Sequence, residues 1–221
     1  MKILLSWSSG KDSAWTLHVL DQQHPGAVQG LLTTTNGETR RAAMHGVADT
    51  IVEAQAHAAG RPLTLVPLPF PCSNEQYDAS LGAAVRRARD EGYTHVAFGD
   101  LFLRDVREYR ESRLAGTGLD PLFPLWDLPT TDLARDMMRG GLRAVLSCVD
   151  TQVLDAGFAG REFDAALLEA LPAGADPCGE HGEFHTCVYD GPMFRAPLPL
   201  TRGDLVTRDR FVWRDLQLAG H

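Results

Sequence analysis

A short polar segment near the start of the chain carries the residue types that bind phosphate. It reads Ser-Ser-Gly-Lys-Asp-Ser over residues 8–13, between a predicted buried strand (2–6) and a predicted helix (12–23). Backbone N–H groups and the helix dipole attract phosphate at such a turn. The small residues let phosphate oxygens approach, Lys11 supplies a positive charge, and Asp12 could hold a magnesium ion. We therefore predict a phosphate site in this turn.

Two familiar phosphate-binding fingerprints do not fit this segment. A Walker A loop needs a glycine five positions before Gly10 and a serine or threonine after the lysine. The chain has Leu5 and Asp12 at those positions. The dinucleotide-binding fingerprint G-x-G-x-x-G needs three glycines, and this segment has only one. The alternative that stays open is a small polar turn that only caps a helix.

A second polar cluster lies in the sequence CGEHGEFHT, residues 178–186. Two glycines separate Glu180 and Glu183, and His181 and His185 lie alongside. A glycine-rich loop with two acids and two histidines is unusual for a mere connection. The acids could deprotonate ammonium or orient an acyl acceptor. A metal site and a purely structural loop are the alternatives.

A third group of candidates follows the predicted strand at residues 94–100. Gly99 and Asp100 stand at its carboxyl end, where a ligand-facing acid belongs in a parallel sheet. The alternative for Asp100 is a cap of the next helix. Glu108 and Arg110 lie on that charged helix, whose ordinary interpretation is a solvated, ion-paired face. Their nearness to Asp100 makes both candidates for substrate binding.

Taken together, these segments resemble a known family. The segment at 8–13 is similar to the S-G-G-x-D-S pyrophosphate loop of N-type ATP pyrophosphatases, with Ser9 in place of a glycine. The stretches AMHGV (43–47), FGDLFLRDVREYRE (98–111) and GEHGEFHTCVYDGP (179–192) resemble the family of diphthine–ammonia ligase and its bacterial relatives. The resemblance extends over about residues 2–195. It implies a HUP-type nucleotide domain and a smaller C-terminal substrate domain.

The resemblance also implies a reaction. A carboxylate attacks the α-phosphate of ATP, pyrophosphate leaves, and ammonia displaces AMP to give an amide. ATP and Mg²⁺ are the implied cofactors, with Asp12 as the magnesium ligand, and the true carboxylate substrate is left open. The residues assigned to catalysis are Lys11, Asp12, Asp100, Glu180, Glu183 and His185. Those assigned to the nucleotide are Ser6, Ser8, Ser9, Gly10, Lys11, Asp12, Ser13, Thr33, Thr34, Thr35, His45 and Gly99. Those assigned to the substrate are Asp100, Glu108, Arg110, Glu180, Glu183, His185 and Thr186. Arg41 is a further candidate for phosphate or ribose.

The elements that must position these residues alternate between strand and helix. The predicted strands are 2–6, 28–34, 63–68, 94–100, 121–126 and 142–150, and four of the predicted helices are 12–23, about 41–59, 103–113 and 132–138. A further helix is expected after a capping box of Ser73 and Gln76 and ends near Gly92. This alternation predicts an α/β fold with a Rossmann-like parallel sheet flanked by helices.

The regular alternation of predicted strands and helices ends after residue 150. A predicted helix at 161–171 leads into a loop rich in proline and glycine, and strand patterns follow at 185–191 and 204–216. We therefore expect an ATP-binding domain at 1–150 and a smaller C-terminal α+β portion at 151–221 that binds the substrate.

Composition narrows the function classes. The 221 residues carry a net charge of -8, which argues against general affinity for nucleic acid. No apolar run is long enough to span a membrane, and Met1–Leu5 is too short for a signal peptide, so we expect a cytoplasmic protein. The four cysteines lack a C-x-x-C pair, which predicts free thiols rather than a zinc site.

Two other functions compete with the ligase. The first is a regulator that binds ATP or AMP without catalysis. The second is a tRNA thiolation or lysidine-type enzyme, which the unpaired cysteines and acidic charge disfavour. The expected partners are ATP, a carboxylate and ammonia, with no nucleic acid and no membrane, and a homodimer is a candidate assembly.

Overall fold

The computed structural model describes residues 1–42 and 45–220. Its helices are α1 (Lys11–Gln23), α2 (Asp49–Ala59), α3 (Asn74–Asp90), α4 (Arg104–Leu114), α5 (Thr130–Arg139) and α6 (Ala165–Ala170). Its strands are β1 (Ile3–Ser6), β2 (Val28–Asn36), β3 (Arg41–Ala42), β4 (Leu63–Leu68), β5 (His95–Ala97), β6 (Asp120–Leu122), β7 (Arg143–Asp150), β8 (Phe184–Asp190), β9 (Leu200–Arg208) and β10 (Phe211–Leu218).

The first sheet has five parallel strands in the order β4-β2-β1-β5-β6. The short β3 pairs antiparallel with the end of β2. The chain therefore winds outward from β1 in both directions, and the reversal leaves a crevice at the carboxyl end of β1. The expected α/β fold with a parallel, helix-flanked sheet is confirmed.

The second sheet is antiparallel, in the order β8-β7-β10-β9. The prediction that residues 142–150 add a strand to the parallel sheet is wrong, because β7 pairs with β8 and β10. Every residue of β7 after Arg143 is buried. A strand covered on both faces has a continuous apolar sequence like that of a parallel strand, which explains the error. The domain boundary at residue 150 stays a prediction.

Two other predicted elements differ from the structure. The helix expected at 41–59 begins only at Asp49, and residues 41–42 form β3 instead. The guanidinium of Arg41 donates to the Gly46 carbonyl, which closes a turn ahead of the helix. The single strand expected at 204–216 is a hairpin of β9 and β10, which turns at Asp209 with a positive φ of 53°.

Alternating residues of β1 face two separate cores. Ile3 and Leu5 belong to the larger core, which contains α1, α2, α5 and most of the second sheet. Leu4 belongs to the smaller core, with Val85 of α3 and Phe98 after β5. The larger core packs the second sheet against the parallel sheet at the crevice. Within residues 1–42 and 45–220, no helix has the length and apolar character needed to span a bilayer.

Candidate functional site

The turn between β1 and α1 is built from serine hydroxyls and backbone. The Ser8 and Ser13 hydroxyl oxygens lie 3.1 Å apart, and the Ser13 hydroxyl donates to the Gly10 carbonyl at 3.0 Å. Gly10 precedes α1 and, as a glycine, has no side chain of its own to cap the helix. Ser9 has a positive φ of 72°, in the left-handed region that favours glycine. The turn thus presents the hydroxyls of Ser8 and Ser13 at the start of a helix.

Strand β8 of the second sheet holds this turn in place. The Lys11 amide donates to the Thr186 hydroxyl at 3.0 Å, and the Val188 amide donates to the Ser9 carbonyl at 3.0 Å. The side-chain amide of Gln55 donates to the carbonyls of Ser9 and Val188, at 3.1 and 2.7 Å. The site therefore includes both sheets.

A polar cavity of about 340 Å³ opens beside the turn, at the carboxyl ends of β1 and β5. Its charged lining comes from the start of α1, the segment after β5, α4 and the loop before β8. These residues are Lys11, Asp12, Asp100, Arg110 and Glu180. We call this space the polar cavity.

The buried Lys11 and the partly buried Asp12 form an ion pair on the wall of the polar cavity. The Lys11 ammonium lies 2.8 Å from Asp12 Oδ2 and also donates to the Cys178 carbonyl. Burial lowers the pKa of Lys11, but the charge and hydrogen bond of Asp12, together with Cys178 and Glu180, outweigh this and raise the pKa overall. Asp12 Oδ1 is buried and has no hydrogen-bond partner within the described residues. This oxygen is free to accept a ligand.

Glu180 has the protonation behaviour of an acid–base group. Its Oε1 accepts a hydrogen bond from the Leu101 amide at 2.8 Å. Burial raises its pKa to about 7; the Leu101 hydrogen bond opposes that rise, and the charges of Asp12 and Asp100 add to it. A carboxyl group with this pKa exchanges protons readily at neutral pH.

Asp100 and Arg110 form the opposite wall. Arg110 Nε lies 3.4 Å from Asp100 Oδ2, and its guanidinium lies over the Phe98 ring at 5.1 Å from the centroid. Burial raises the pKa of Asp100, although Arg110 lowers it in part. Gly99 packs on the start of α1, since a Cβ there would lie 2.9 Å from the Asp12 carbonyl carbon. A glycine is therefore required at residue 99.

Two histidines close the crevice. The rings of His45 and His185 lie 4.7 Å apart, and His45 Nδ1 lies 3.2 Å from the Thr186 carbonyl oxygen. Burial lowers the pKa of His45 to about 4 and that of His185 to about 3. Both rings are therefore neutral at pH 7 and can donate or accept hydrogen bonds.

A larger apolar cavity of about 650 Å³ adjoins the polar cavity. Leu4, Leu32, Val96 and other apolar side chains line it, together with Thr33 and Thr34 of β2. We call this space the apolar cavity. The residues that line both spaces are Ser6, Ser8, His45, Phe98, Arg110 and His185. A molecule with a flat apolar end and an anionic end matches this pair of cavities.

Several predicted site residues lie outside both cavities. Glu108 is exposed on α4. Glu183 is buried, and its Oε1 accepts a hydrogen bond from the Asp176 amide at 2.8 Å, so it holds the loop together. Thr35 is buried where β2 pairs with β3 and β4. Arg41 forms an ion pair with Asp215 of β10 at 2.9 Å.

Ser9 and Gly10 shape the turn without lining either cavity. A Cβ at Gly10 would lie 2.7 Å from His45 Cε1, so that close approach needs glycine. Of the predicted motif at 43–47, residues 43 and 44 lie outside the described residues.

The sequence analysis did not identify two residues that position the candidate site, Gln55 and Asp176. Gln55 is fully buried, and its only signal is a polar side chain on the buried face of α2. Asp176 accepts the amides of Cys178 and Glu180, both at 3.0 Å, and so positions Glu180. An acid before Pro177 in a glycine-rich loop is the typical signal for such a turn.

Comparisons with known proteins agree with the motif resemblance. Residues 129–213 match the family model described as the diphthamide synthase C-terminal domain. A diphthine–ammonia ligase from Mus musculus is 28% identical over 110 residues, which cover 46% of this chain and 41% of the mouse protein. The chain thus spans less than half of that relative. The resemblance to diphthine–ammonia ligase is confirmed at this level.

One solved structure aligns with most of this chain. Its description is "predicted subunit of tRNA methyltransferase" from Methanocaldococcus jannaschii. The match has a TM-score of 0.46 and 17% identity, and covers 87% of this chain and 98% of that one.

Proposed function

We propose that this protein is an ATP-dependent ligase that converts a carboxylate into an amide, with release of AMP and pyrophosphate. The observation that carries the proposal is the junction of the apolar and polar cavities at the turn of residues 8–13. Adenosine occupies the apolar cavity, and the phosphates occupy the polar cavity. The relationship to diphthine–ammonia ligase supports a ligase rather than a plain nucleotide-binding protein.

The polar cavity suits a triphosphate. The Ser8 and Ser13 hydroxyls and the Lys11 ammonium all line it, and α1 begins there. Hydrogen-bond donors and a fixed positive charge stabilise the charge that develops on the leaving pyrophosphate. Because Thr186 and Cys178 position Lys11, little rearrangement is needed when the phosphates bind.

The cavity also fits a magnesium ion that binds with the nucleotide. Asp12 Oδ1 is buried without a partner in the described part of the chain. Across that same part, no group of three His, Cys, Asp or Glu side chains could hold a metal alone. Mg²⁺ commonly binds one or two carboxylates together with substrate phosphates. Asp12 would hold it, and the ion would neutralise phosphate charge.

The reaction has two steps. A carboxylate oxygen attacks the α-phosphorus, which breaks its bond to pyrophosphate and leaves an acyl-adenylate. Ammonium first loses one proton to give ammonia. The nitrogen of ammonia then attacks the acyl carbon, AMP leaves, and the nitrogen loses a second proton. Glu180 takes the proton from ammonium, because its pKa of about 7 allows it to accept and release protons at neutral pH. The neutral His45 and His185 rings donate hydrogen bonds near the reacting phosphate.

The test uses the two lysines, Lys2 and Lys11, which are the only ones in the chain. We expect Lys11→Met to weaken ATP binding, measured by calorimetry, by about tenfold or more, since a charge-assisted contact contributes about 1.5–3 kcal/mol. Lys2→Met is the matched control, because Lys2 contacts Glu91 and Tyr93 and lines neither cavity. Its ATP affinity is expected to match the wild type.

Activity is then followed as AMP formed from ATP, ammonium and a panel of carboxylates. The ligase predicts AMP release that depends on both the carboxylate and ammonium. ATP binding without AMP release under any of these conditions would instead identify a regulator. Equal loss of ATP affinity in the Lys11 and Lys2 variants would contradict the placement of the phosphates.

A further inference from the structure

A third cavity, of about 380 Å³, lies between the two sheets. One wall comes from the ends of β2 and β3 and from Phe70 after β4. The other wall comes from β9 and β10, with Val206, Phe211 and Trp213. We call this space the intersheet cavity.

The intersheet cavity meets the proposed reaction centre at one side chain. His185 lines the intersheet, polar and apolar cavities, and among the described residues it alone belongs to the linings of all three. Its ring lies against His45 beside the turn of residues 8–13. A group that enters the intersheet cavity and reaches His185 therefore arrives next to the junction where the α-phosphate would lie.

The lining of the intersheet cavity is aromatic and apolar. The rings of Phe211 and Trp213 lie 5.7 Å apart. Gly46 allows Trp213 to pack closely, because a Cβ at residue 46 would lie 2.6 Å from the indole. Phe70 and Val206 at the mouth are 64% and 41% exposed. Exposed apolar side chains around a concave space indicate a binding site.

The charges in this cavity favour an anion. Arg41 and Asp215 neutralise each other through an ion pair of 2.9 Å. Arg208 also lines the cavity, and in the part of the chain that the structure describes it has no carboxylate partner. The surplus charge is therefore positive, and it attracts a carboxylate rather than an ammonium group.

We infer that the intersheet cavity binds the acyl substrate, a small carboxylic acid with an apolar, ring-sized body. The apolar body packs on Trp213, Phe211 and Val206, and the carboxylate points past His185 towards the α-phosphate. The cavity volume matches a small molecule of this kind. The role as acyl substrate rests on the proposed ligase function, whereas binding of the acid does not depend on it.

The test uses neighbouring residues of β9 with similar exposure. Val206 lines the intersheet cavity and is 41% exposed, whereas Leu205 is 45% exposed and faces the other side of the strand. The probe is 3-phenylpropionate, and its binding is measured by calorimetry without nucleotide. For a ligand of this size we expect a Kd of about 1 mM. We expect Val206→Asp to weaken binding about tenfold and Leu205→Asp to leave it unchanged, because only the first change places a negative charge in the cavity.

A second variant tests the opposite wall. Phe70→Asp changes an exposed side chain across the mouth, so it should fold normally and weaken 3-phenylpropionate binding to a similar degree. The inference is overturned if the wild type does not bind the probe, or if Leu205→Asp weakens binding as much as Val206→Asp. Neither β9 variant should change ATP affinity. A wild-type protein that binds 3-phenylpropionate but not ATP would contradict the proposed ligase function. It would not contradict the proposed binding site in the intersheet cavity.

Discussion

At the scale of single residues, the two acids of the loop before β8 have different tasks. Glu180 lines the polar cavity and has a pKa raised to about 7 by burial. Glu183 is buried away from it and holds the loop through the Asp176 amide. The sequence presents them as equivalent, since both follow a glycine. Only the fold shows which of the two can reach a substrate.

We predict that Glu180→Gln lowers the rate of amide formation by about 10²-fold, the usual contribution of a general base. The wild-type rate should rise with pH through about 7 as Glu180 loses its proton, and the variant should lack this rise. Glu108→Gln is the control, because Glu108 is exposed on α4 outside the cavities. A pH profile that is unchanged in Glu180→Gln would exclude Glu180 as the base.

Glu180→Gln should stabilise the folded protein although it lowers the reaction rate. The unfolded chain releases the Glu180 proton near pH 4.5, whereas the folded protein keeps it until about pH 7. Between these values the folded state binds more protons, so this group makes the wild-type free energy of unfolding fall as pH rises. The melting temperature of Glu180→Gln should therefore exceed that of the wild type more at pH 8 than at pH 5.

At the scale of elements, the turn between β1 and α1 carries a local conflict. Ser9 has a φ of 72° and a buried hydroxyl with no partner within the described residues. Both features are unfavourable for serine, and glycine would remove both. The hydrogen bonds from Val188 and Gln55 to the Ser9 carbonyl fix the turn in spite of them.

We predict that Ser9→Gly raises the free energy of unfolding by about 1 kcal/mol, because the left-handed conformation costs other residues about that much. Urea denaturation measures the change. Ser147→Gly is a matched control, since Ser147 is also buried with an unpaired hydroxyl but lies in β7 at ordinary strand angles. It should destabilise the protein. If both variants behaved alike, the backbone conformation would not be the cause.

The sequence predicted the positions of helices and strands better than it predicted which strands pair with one another. The spacing of apolar residues and the capping residues predicted β1, α1 and α3. The capping box of Ser73 and Gln76 is present in the structure. The membership of β7 could not be predicted, because a strand buried on both faces has the same pattern in either kind of sheet. The polar segments at 8–13 and 178–186 marked the site. Gln55 did not stand out, because its partners, the Trp7 indole and the carbonyls of Ser9 and Val188, all lie far away in the chain.

At the scale of the whole molecule, Gln55 joins the two sheets at the candidate site. Its side chain accepts from the Trp7 indole at 3.0 Å and donates to the carbonyls of Ser9 and Val188. All of these groups are buried. The antiparallel sheet is therefore attached directly to the turn that we expect to bind phosphate.

We predict that Gln55→Leu lowers the free energy of unfolding by about 3 kcal/mol, because it leaves buried polar groups without partners. ATP affinity should fall as well, since the Ser9 carbonyl loses one of the hydrogen bonds that fix the turn. Gln22→Leu is the control, because Gln22 is exposed on α1 and its side chain forms a hydrogen bond with His18 of the same helix. Urea denaturation measures the free energy of unfolding of each variant, and calorimetry measures its ATP affinity. A Gln55 variant with normal stability would show that the sheets are joined mainly by apolar packing.

The position of His185 also has a practical consequence. It is one of eight histidines, and its ring borders all three cavities. Nucleotide, pyrophosphate and organic acid would each disturb the magnetic environment of that one ring. With isotopically labelled histidine, its resonance would serve as a single spectroscopic observer, from which the order of arrival and departure of every reactant could be followed.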